Sequence, residues 1–295
     1  MRARADPNPP PGEQSPLTLR CLLPPGDPAT VDEFIDALGL QDRPGAPAQR
    51  PYPERPYLML NMVSTADGRV SIDGRSGPIG NRADRELFRG LRTAVDAVMA
   101  GAGTVRAERY GRIVPDERRR RRRRSRGLSE EPLACIVSGR LSLSPEIPLL
   151  ANPAARVAIV TPSAASLPET GAHVEYVRAQ RDGRLDLPAA LAELHGRFAV
   201  RTLLCEGGPH LNLELLAAGL VDELFLSLSP KLAGGEDAAG EALRILAGAE
   251  LKHPVELELL GALESDSQVF LRYGVCVSAP ERVSRETTLK SSLAS

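Results

Sequence analysis

Short apolar runs that alternate with amphipathic helical patterns limit the fold of this chain of 295 residues more than any other feature. The runs YLMLNMV, LACIVSG and RVAIVTP are typical of buried strands. Between the first two, NRADRELFRGLRTAV places Leu87, Leu91 and Val95 on one face of a helix. Later strand patterns in VRTLLCEGG and DELFLSLSP enclose the helical pattern PHLNLELLAAG. Such alternation predicts an α/β fold with a mostly parallel sheet and helices on both of its faces.

The two ends of the chain depart from this alternation. Near the C-terminus, VELELLGALESDSQVFLRYGVCV predicts an antiparallel hairpin at the sheet edge, so the sheet is expected to be mixed. Near the N-terminus, DPATVDEFIDALGL predicts a helix that Thr30 caps and Gly39 ends, and residues 43–56 look like a linker. We therefore expect disordered tails at residues 1–18 and 278–295 around one domain, residues 19–277.

Composition excludes several classes of function. The formal net charge is -1, which argues against nucleic acid or an anionic membrane as the default partner. No apolar stretch is long enough to span a membrane or to serve as a secretory signal, so a cytoplasmic protein is expected. The four cysteines are far apart and form no Cys-x-x-Cys pair, so no metal site is expected.

Four glycine-bearing segments follow predicted strands: STADGRVSIDGRSGPIGN, GAGTVRAERYG, IVSGR and EGGPHLN. Ligands of open α/β sheets bind at the carboxyl ends of the strands, where such segments meet. None of them matches the common nucleotide fingerprints. In the first segment, the Asp-Gly pairs at Asp67 and Asp73 fit either a bare hairpin or a ligand-binding loop.

The other segments also allow two interpretations each. Gly207 and Gly208 precede a helix, so free N–H groups there could bind a diphosphate, but a tight turn needs the same glycines. Thr104 could be an N-cap or could bind a phosphate or ribose. Ser138 and Arg140 suit the 2′-phosphate that separates NADP from NAD, although an exposed loop would have the same composition.

Taken together, PYLMLNMVSTADGR, SGPIGNRADRELFRGLR, GAGTVRAERYG and LLCEGGPHLN resemble the pyrimidine reductase family of riboflavin biosynthesis. The resemblance runs in order over the core motifs, residues 56–277, and implies a single domain with the fold of dihydrofolate reductase. It also implies that the first glycine-bearing segment lines a pocket for substrate and nicotinamide. One departure is Asn61, where many bacterial members carry a lysine.

The resemblance implies a reaction and a set of site residues. The reaction is the NADPH-dependent reduction of the ribosyl group of 5-amino-6-(5-phosphoribosylamino)uracil, or of its pyrimidinone precursor, to the ribitylamino product. The implied substrate contacts are Ser76, Arg92, Arg109 and Glu206. The implied NADPH contacts are Thr104, Glu108, Ser138, Gly207, Gly208 and Leu211, to which the chemistry of its side chain adds Arg140. Glu108 is also the candidate proton donor, with a water molecule as the alternative.

Other functions on the same residues stay open. A reductase of another ring, such as a dihydropterin, would use the same fold, although only 3% of the residues are aromatic and none is Trp. A non-catalytic nucleotide sensor or an RNA-binding module would bind the cofactor without turning it over. A homodimer is expected, formed through the apolar C-terminal hairpin.

Seven consecutive arginines, Arg118–Arg124, form the most unusual run in the chain. The chain has only three lysines, so arginine is its ordinary cation and the run is partly a compositional bias. A block of like charges predicts a solvated loop. Phosphate capture at the rim of the site is the second interpretation.

Overall fold

The computed structural model describes residues 17–235 and 243–276. The strands are β1 Thr18–Leu23, β2 Ala29–Thr30, β3 Tyr57–Thr65, β4 Ala97–Gly101, β5 Leu133–Val137, β6 Arg156–Thr161, β7 His173–Arg178, β8 Gln180–Arg181, β9 Arg184–Leu185, β10 Thr202–Cys205, β11 Glu223–Ser229, β12 Leu257–Ser265 and β13 Gln268–Val275. The helices are α1 Val31–Ala37, α2 Arg82–Ala94, α3 Ala102–Ala107, α4 Glu117–Ser125, α5 Pro148–Ala151, α6 Leu187–Phe198 and α7 Pro209–Ala217. Most of both predicted tails lies outside the described residues, and the domain boundaries stay predictions.

Within the described residues, eleven strands form one sheet in the order β2-β1-β12-β13-β11-β3-β10-β4-β5-β6-β7. The strands from β11 to β7 in this order are parallel to their neighbours. Those on the other side of β11 are antiparallel. In the middle, Leu204 of β10 pairs with Met59 of β3 and Val98 of β4, so the carboxyl ends of these strands meet at one edge. The predicted mostly parallel, mixed α/β sheet is confirmed.

Both faces of the sheet carry helices, as predicted. One face packs against α1 and α2, and Leu87, Leu91 and Val95 are buried there as the helical spacing predicts. The other face packs against α6 and α7, with Leu194 and Leu215 fully buried. Because apolar side chains on both faces leave water, the parallel strands can be apolar along their whole length.

Helix α1 starts and ends where the sequence predicts. Thr30 is the N-cap: its hydroxyl accepts from the Glu33 N–H at 3.2 Å, and the Glu33 carboxylate accepts from the Thr30 N–H at 2.8 Å. Gly39 follows the helix in the left-handed region, at φ 58°. This reciprocal capping satisfies two N–H groups that the helix itself leaves without partners.

The position predicted for the C-terminal hairpin is wrong in one respect. Strands β12 and β13 form the hairpin, but β1 pairs with β12 along Ala262–Glu264, so this half of the hairpin lies inside the sheet. The sequence did not indicate β1 because its six residues lie between proline-rich stretches and carry no clear alternation. Within this hairpin, the other half of β12, residues 257–261, has no strand partner on its outer side in the described structure.

The segment predicted as a linker, residues 43–56, is anchored to the core at the amino ends of β3 and β11. Arg55 is fully buried, and its guanidinium donates to the two Asp222 carboxylate oxygens at 2.7 and 2.9 Å. The Asp222 carboxylate also accepts from the Leu58 N–H at 2.8 Å. A buried ion pair with these extra hydrogen bonds fixes the entry of the chain into β3.

The solvated loop predicted for the arginine run is also wrong, because the whole run lies within α4. Asp116 caps this helix by accepting from the Arg119 N–H at 2.8 Å. Acidic side chains of α1 and α2 neutralise part of the run: Arg122 donates to Asp36 at 2.9 Å and Arg119 to Glu86 at 2.6 Å. Attraction to these carboxylates replaces the self-repulsion that the sequence alone suggested.

Candidate active site

A cleft of about 1650 Å³ follows the carboxyl ends of β3, β10, β4, β5 and β6. Pockets for a single drug-sized molecule usually measure about 300–1000 Å³. The cleft therefore has room for two ligands side by side. Loops and helix N-termini line it at the edge of the sheet where open α/β folds bind their ligands.

The segment between β3 and α2, residues 66–81, forms one wall of this cleft. Val70, Ser71, Gly74 and Ser76 line it. The two Asp-Gly pairs make turns, but the only strand-like pairing inside the described segment is one bridge, Ile72 with Arg75. The ligand-loop interpretation of this segment is therefore favoured over a bare hairpin.

Glycines form a cradle in the floor of the cleft, where β4 and β10 end. Gly101 is the N-cap of α3 and Gly208 the N-cap of α7, and neither helix has a side-chain cap. The Gly101 N–H donates to the Gly207 carbonyl at 2.7 Å. A Cβ atom on Gly208 would lie 3.1 Å from the Thr104 hydroxyl oxygen. Backbone N–H groups at two helix starts are thus open to a ligand, and Thr104 lies inside the first turn of α3 rather than at its N-cap.

Glu206, the residue after β10, is held by two side chains. The Arg92 guanidinium donates to its two carboxylate oxygens, Nε to Oε1 at 2.6 Å and Nη2 to Oε2 at 2.7 Å. The Tyr110 hydroxyl donates to Oε2 at 2.5 Å. The ring of Phe88 lies under the Arg92 guanidinium, 4.1 Å from its centre. This arrangement is a partly buried ion pair inside the cleft, and the three residues Arg92, Tyr110 and Glu206 are called the triad below.

The pKa values within the triad follow from this packing. Burial disfavours the charge on Arg92, but the Glu206 carboxylate outweighs it and raises the pKa of the guanidinium above its ordinary value. Burial and the same carboxylate raise the pKa of the Tyr110 hydroxyl well above its ordinary value. Tyr110 is therefore a neutral donor to Glu206 throughout the physiological pH range.

The triad also limits what Glu206 and Arg92 can offer a ligand. A carboxylate has about four acceptor sites, and three protein donors use one on Oε1 and two on Oε2. One further N–H donor can bind at Oε1, rather than the two that the sequence suggested. The remaining Arg92 nitrogen, Nη1, donates to the Ile113 carbonyl at 3.2 Å. These three bonds use three of the five N–H donors of the guanidinium, so Arg92 keeps one on Nη1 and one on Nη2 for a ligand.

Glu108 and Ser76, predicted as separate contacts, bind each other. The Glu108 carboxylate accepts from the Ser76 N–H at 2.8 Å and from its hydroxyl at 2.9 Å. This pair joins the end of α3 to the segment after β3. Glu108 therefore has a defined orientation at the wall of the cleft.

The structure brings most of the predicted site residues together. Those that line the cleft are Ser76, Arg92, Thr104, Glu108, Arg109, Glu206, Gly208 and Leu211. Ser138 and Arg140 are not among the lining residues, although Gly139 between them is. The Ser138 side chain is buried, whereas Arg140 is exposed to solvent beside the cleft. Gly207 shapes the cradle through its carbonyl and lines no part of the surface.

Sequence reasoning missed Asp84, Phe88 and Tyr110. Asp84, Phe88 and Arg92 are spaced by four residues, so they share one face of α2 and all three line the cleft. Burial raises the pKa of the Asp84 carboxyl above its ordinary value, although the Ser227 hydroxyl and nearby cations oppose this effect. The spacing of four could have indicated Asp84 and Phe88, but the apolar residues on the other face dominate the sequence pattern of α2.

The described residues, 17–235 and 243–276, hold no group of three or more His, Cys, Asp and Glu side chains arranged for a metal ion. In the same ranges, no helix combines the length and the apolar character needed to cross a membrane.

Comparison with known proteins decides the family. The model of the RibD C-terminal domain matches residues 56–271. The chain belongs to the RibD C-terminal domain family. A 2,5-diamino-6-ribosylamino-4(3H)-pyrimidinone 5′-phosphate reductase from Methanothermobacter thermautotrophicus is 30% identical over 227 residues, which are 75% of this chain and 99% of that protein. The riboflavin biosynthesis protein RibD of Escherichia coli is 28% identical over 63% of this chain and 51% of its own length.

Solved structures agree with the fold of this RibD C-terminal domain. A pyrimidine reductase-like protein from Corynebacterium diphtheriae superimposes with a TM-score of 0.65 at 21% identity, over 85% of this chain and all of that one. A deaminase and reductase from Thermotoga maritima gives a TM-score of 0.60 at 22% identity, over 76% of this chain and 57% of its own. The fold that the sequence motifs implied is confirmed.

Proposed function

We propose that this RibD C-terminal domain is an NADPH-dependent reductase that converts the ribosyl group of a 5-phosphoribosylamino-pyrimidine to a ribityl group. The observation that carries the proposal is the presence of the glycine cradle and the triad in one cleft of a chain from this family. Two relatives at 30% and 32% identity are named as reductases of the 2,5-diaminopyrimidinone 5′-phosphate. We therefore propose this pyrimidinone, rather than the uracil, as the preferred substrate.

The glycine cradle fits the diphosphate of a dinucleotide. A Cβ atom on Gly208 would reach within 3.1 Å of the Thr104 hydroxyl oxygen, so only glycine leaves this space open. Free N–H groups in the first turns of α3 and α7 would bind the phosphates, and Leu211 would pack against the cofactor. Arg140, exposed beside Gly139, would bind the 2′-phosphate with the backbone around Ser138. NADPH bound in this way supplies the hydride that C1′ of the open-chain imine requires.

The substrate would lie between the cradle and α2. Arg109 lines the cleft and is exposed, so its guanidinium can bind the 5′-phosphate without breaking a protein contact. Glu206 would accept one N–H group of the pyrimidine at Oε1. In this proposal Arg109 is the main contact of the phosphate, and Arg92 positions the Glu206 carboxylate.

Reduction of an imine also requires a proton on the nitrogen. Asp84 and Glu108 are two of the carboxyl groups that line the cleft, Asp84 on the same face of α2 as Arg92 and Glu108 next to Arg109. The Glu108 carboxylate already accepts two hydrogen bonds from Ser76, which hold it at the wall of the cleft. The pKa of Asp84 is raised by burial, which favours the protonated form that can donate. We propose Asp84 as the proton donor and Glu108 as a residue that orients Ser76.

The test follows the absorbance of reduced nicotinamide in the presence of each candidate substrate. Turnover with the diaminopyrimidinone 5′-phosphate, but not with its dephosphorylated form, is expected, and NADPH should be preferred to NADH. Faster turnover with a dihydropterin would assign the protein to another reductase class. Binding of NADPH without turnover of any substrate would favour a nucleotide sensor.

A further inference from the structure

Two arginines of α4 lie inside the protein and donate to backbone carbonyls, one at the end of α2 and the other in the loop before α4. Arg123 is fully buried and Arg120 is 8% exposed, although both belong to the run of seven arginines. Their neighbours Arg118 and Arg121 are exposed on the outer side of the helix. The run thus has an inner and an outer face. On the inner face Arg120 pairs with Glu117 and Glu130, so only the burial of Arg123 lacks an explanation by ion pairs in the described residues.

Arg123 binds the C-terminal end of α2, the helix that carries Arg92. Its Nη1 atom donates to the carbonyl oxygens of Arg92, Thr93 and Val95, at 3.1, 3.2 and 2.7 Å. Its Nε atom donates to the Ser129 carbonyl at 2.8 Å. These α2 carbonyls have no partner within the helix, and they carry the negative end of its dipole.

The charge of Arg123 is compensated by this helix end. No Asp or Glu of the described residues lies within ion-pair distance of its guanidinium, unlike those of Arg119 and Arg122. Burial lowers the pKa of Arg123 to about 10, so the side chain still carries its charge at neutral pH. A buried cation without a carboxylate is costly unless its surroundings are fixed. Its position is therefore strongly coupled to the position of α2.

Arg120 binds the loop whose preceding residue accepts a hydrogen bond from the Arg92 guanidinium. Its Nη1 atom donates to the carbonyl oxygens of Val114 and Pro115, at 3.0 and 2.6 Å. The preceding residue, Ile113, provides the carbonyl that accepts from Arg92 Nη1. Arg123 thus holds the backbone of Arg92, and Arg120 holds the loop that binds its guanidinium.

We propose that Arg120 and Arg123 are positioning residues that hold Arg92 in the orientation that fixes the Glu206 carboxylate for the substrate. This role deepens the proposed function and rests on it, since it assigns Glu206 to the pyrimidine. It gives the arginine run a purpose inside the protein: Arg120 and Arg123 orient the triad, while others of the run pair with α1 and α2 or are exposed to solvent. The chemistry at the cleft thereby depends on residues that do not line it.

The first test observes the triad directly and needs no substrate. Nitrogen-15 NMR detects the Arg92 Nε–H, which is bound to Glu206 and therefore exchanges slowly with water; the variant Arg92→Lys assigns the signal. In Arg123→Met this exchange should be faster, by about tenfold or more, because the ion pair opens more often once α2 is no longer held. Arg121→Met, on the exposed face, and Arg122→Met, which removes an ion pair to α1, should leave it unchanged. If Arg123→Met does not fold, Arg123→Lys replaces it, and unchanged exchange in the folded variant overturns the proposal.

The second test asks whether Arg123 affects the proposed reaction. With the diaminopyrimidinone 5′-phosphate, Arg123→Met should lower kcat/KM by about ten- to a hundredfold and leave the Kd for NADPH within about twofold. In a Glu206→Gln background, the same substitution should lower kcat/KM by less than about threefold, because its effect passes through Glu206. Equal losses in both backgrounds overturn the proposal. If the wild type reduces no pyrimidine while the Arg92 signal responds to Arg123→Met, the proposed function is wrong and the structural coupling stands.

Discussion

The carboxylate of Glu206 follows β10 with three protein donors on its two oxygens, and its side chain is only 3% exposed. Glu206→Gln keeps the volume but removes the charge that Arg92 requires and replaces one acceptor by a donor. A mismatched polar pair in a desolvated site costs about 1–3 kcal/mol. We therefore expect kcat/KM for the pyrimidinone phosphate to fall roughly ten- to a hundredfold.

Steady-state kinetics and thermal melting of the same variant separate substrate recognition from stability. The Kd for NADPH should change little, because backbone N–H groups bind the diphosphate in the proposed site. Glu193→Gln is the matched control: Glu193 pairs with Arg197 on the surface of α6 and should leave the kinetics unaltered. If Glu206→Gln melted at a lower temperature with unchanged kinetics, Glu206 would be a structural residue and not a substrate contact.

Asp84 should make stability depend on pH. Burial raises the pKa of its carboxyl in the folded state, so the folded protein binds this proton more tightly than the unfolded chain does. The resulting contribution is present below the ordinary Asp pKa of about 3.9 and is lost as the pH rises through the folded value. Relative to Asp84→Asn, which cannot ionise, the wild type should lose stability over that window. Urea unfolding of both proteins between pH 3 and 8 measures the difference, and parallel curves would show that Asp84 has no raised pKa.

The same substitution tests the proposed proton donor. A protonated Asp84 is the active form, so kcat/KM of the wild type should fall as the pH rises through the pKa of this group. Asp84→Asn should lower kcat and lose this part of the pH profile. Glu108→Gln should keep it, and the opposite result for the two variants would move the role of proton donor to Glu108.

At the scale of elements, an ion pair fixes the segment before β3. Removal of one partner from a buried pair leaves an unpaired charge, which costs about 3–5 kcal/mol. Arg55→Met should lower the free energy of unfolding by at most about that amount, because Arg50 still lies 3.3 Å from the Asp222 carboxylate; urea denaturation measures the loss. Arg20→Met is the control, because its pair with Glu264 is exposed and should be worth less than about 1 kcal/mol. Similar losses in the two variants would mean that residues 43–56 are a linker after all.

The elements that the sequence predicted are those whose signal is local. Leu87, Leu91 and Val95 repeat at helical spacing, and Thr30 with Glu33 forms a capping pair three residues apart. Helix α4 was missed because its partners are distant: Asp36 is 86 residues from Arg122 along the chain. The buried pair of Arg55 is similarly hidden, since Asp222 is 167 residues away.

In the candidate site, too, the features with a local signal could be predicted and those that depend on distant partners could not. The glycines of the cradle could be predicted because they follow apolar runs within three residues. The bond between Glu206 and Arg92 could not, because it joins the end of β10 to the last turn of α2 across 114 residues. The predicted residues were therefore mostly at the cleft, but what they bind within the protein required the structure.

At the scale of the whole molecule, the open half of β12 offers a surface for a second copy of the chain. The outer side of residues 257–261 has no strand partner in the described structure. Leu257, Leu259 and Leu260 are exposed there, next to Leu22 and Leu23 of β1, each between 37% and 42%. An exposed apolar edge of this kind favours pairing with another chain.

We expect a homodimer that buries these leucines, formed symmetrically so that each copy contributes the same patch. Sedimentation velocity over a range of concentrations should show a dimer for the wild type and a shift to monomer for Leu259→Arg. Leu232→Arg is the matched control, because Leu232 is 82% exposed but lies on the segment after β11, away from this patch. A wild type that sediments as a monomer would exclude the dimer. Dissociation by Leu232→Arg rather than Leu259→Arg would place the interface near the segment after β11, at the end of the sheet where the cleft lies.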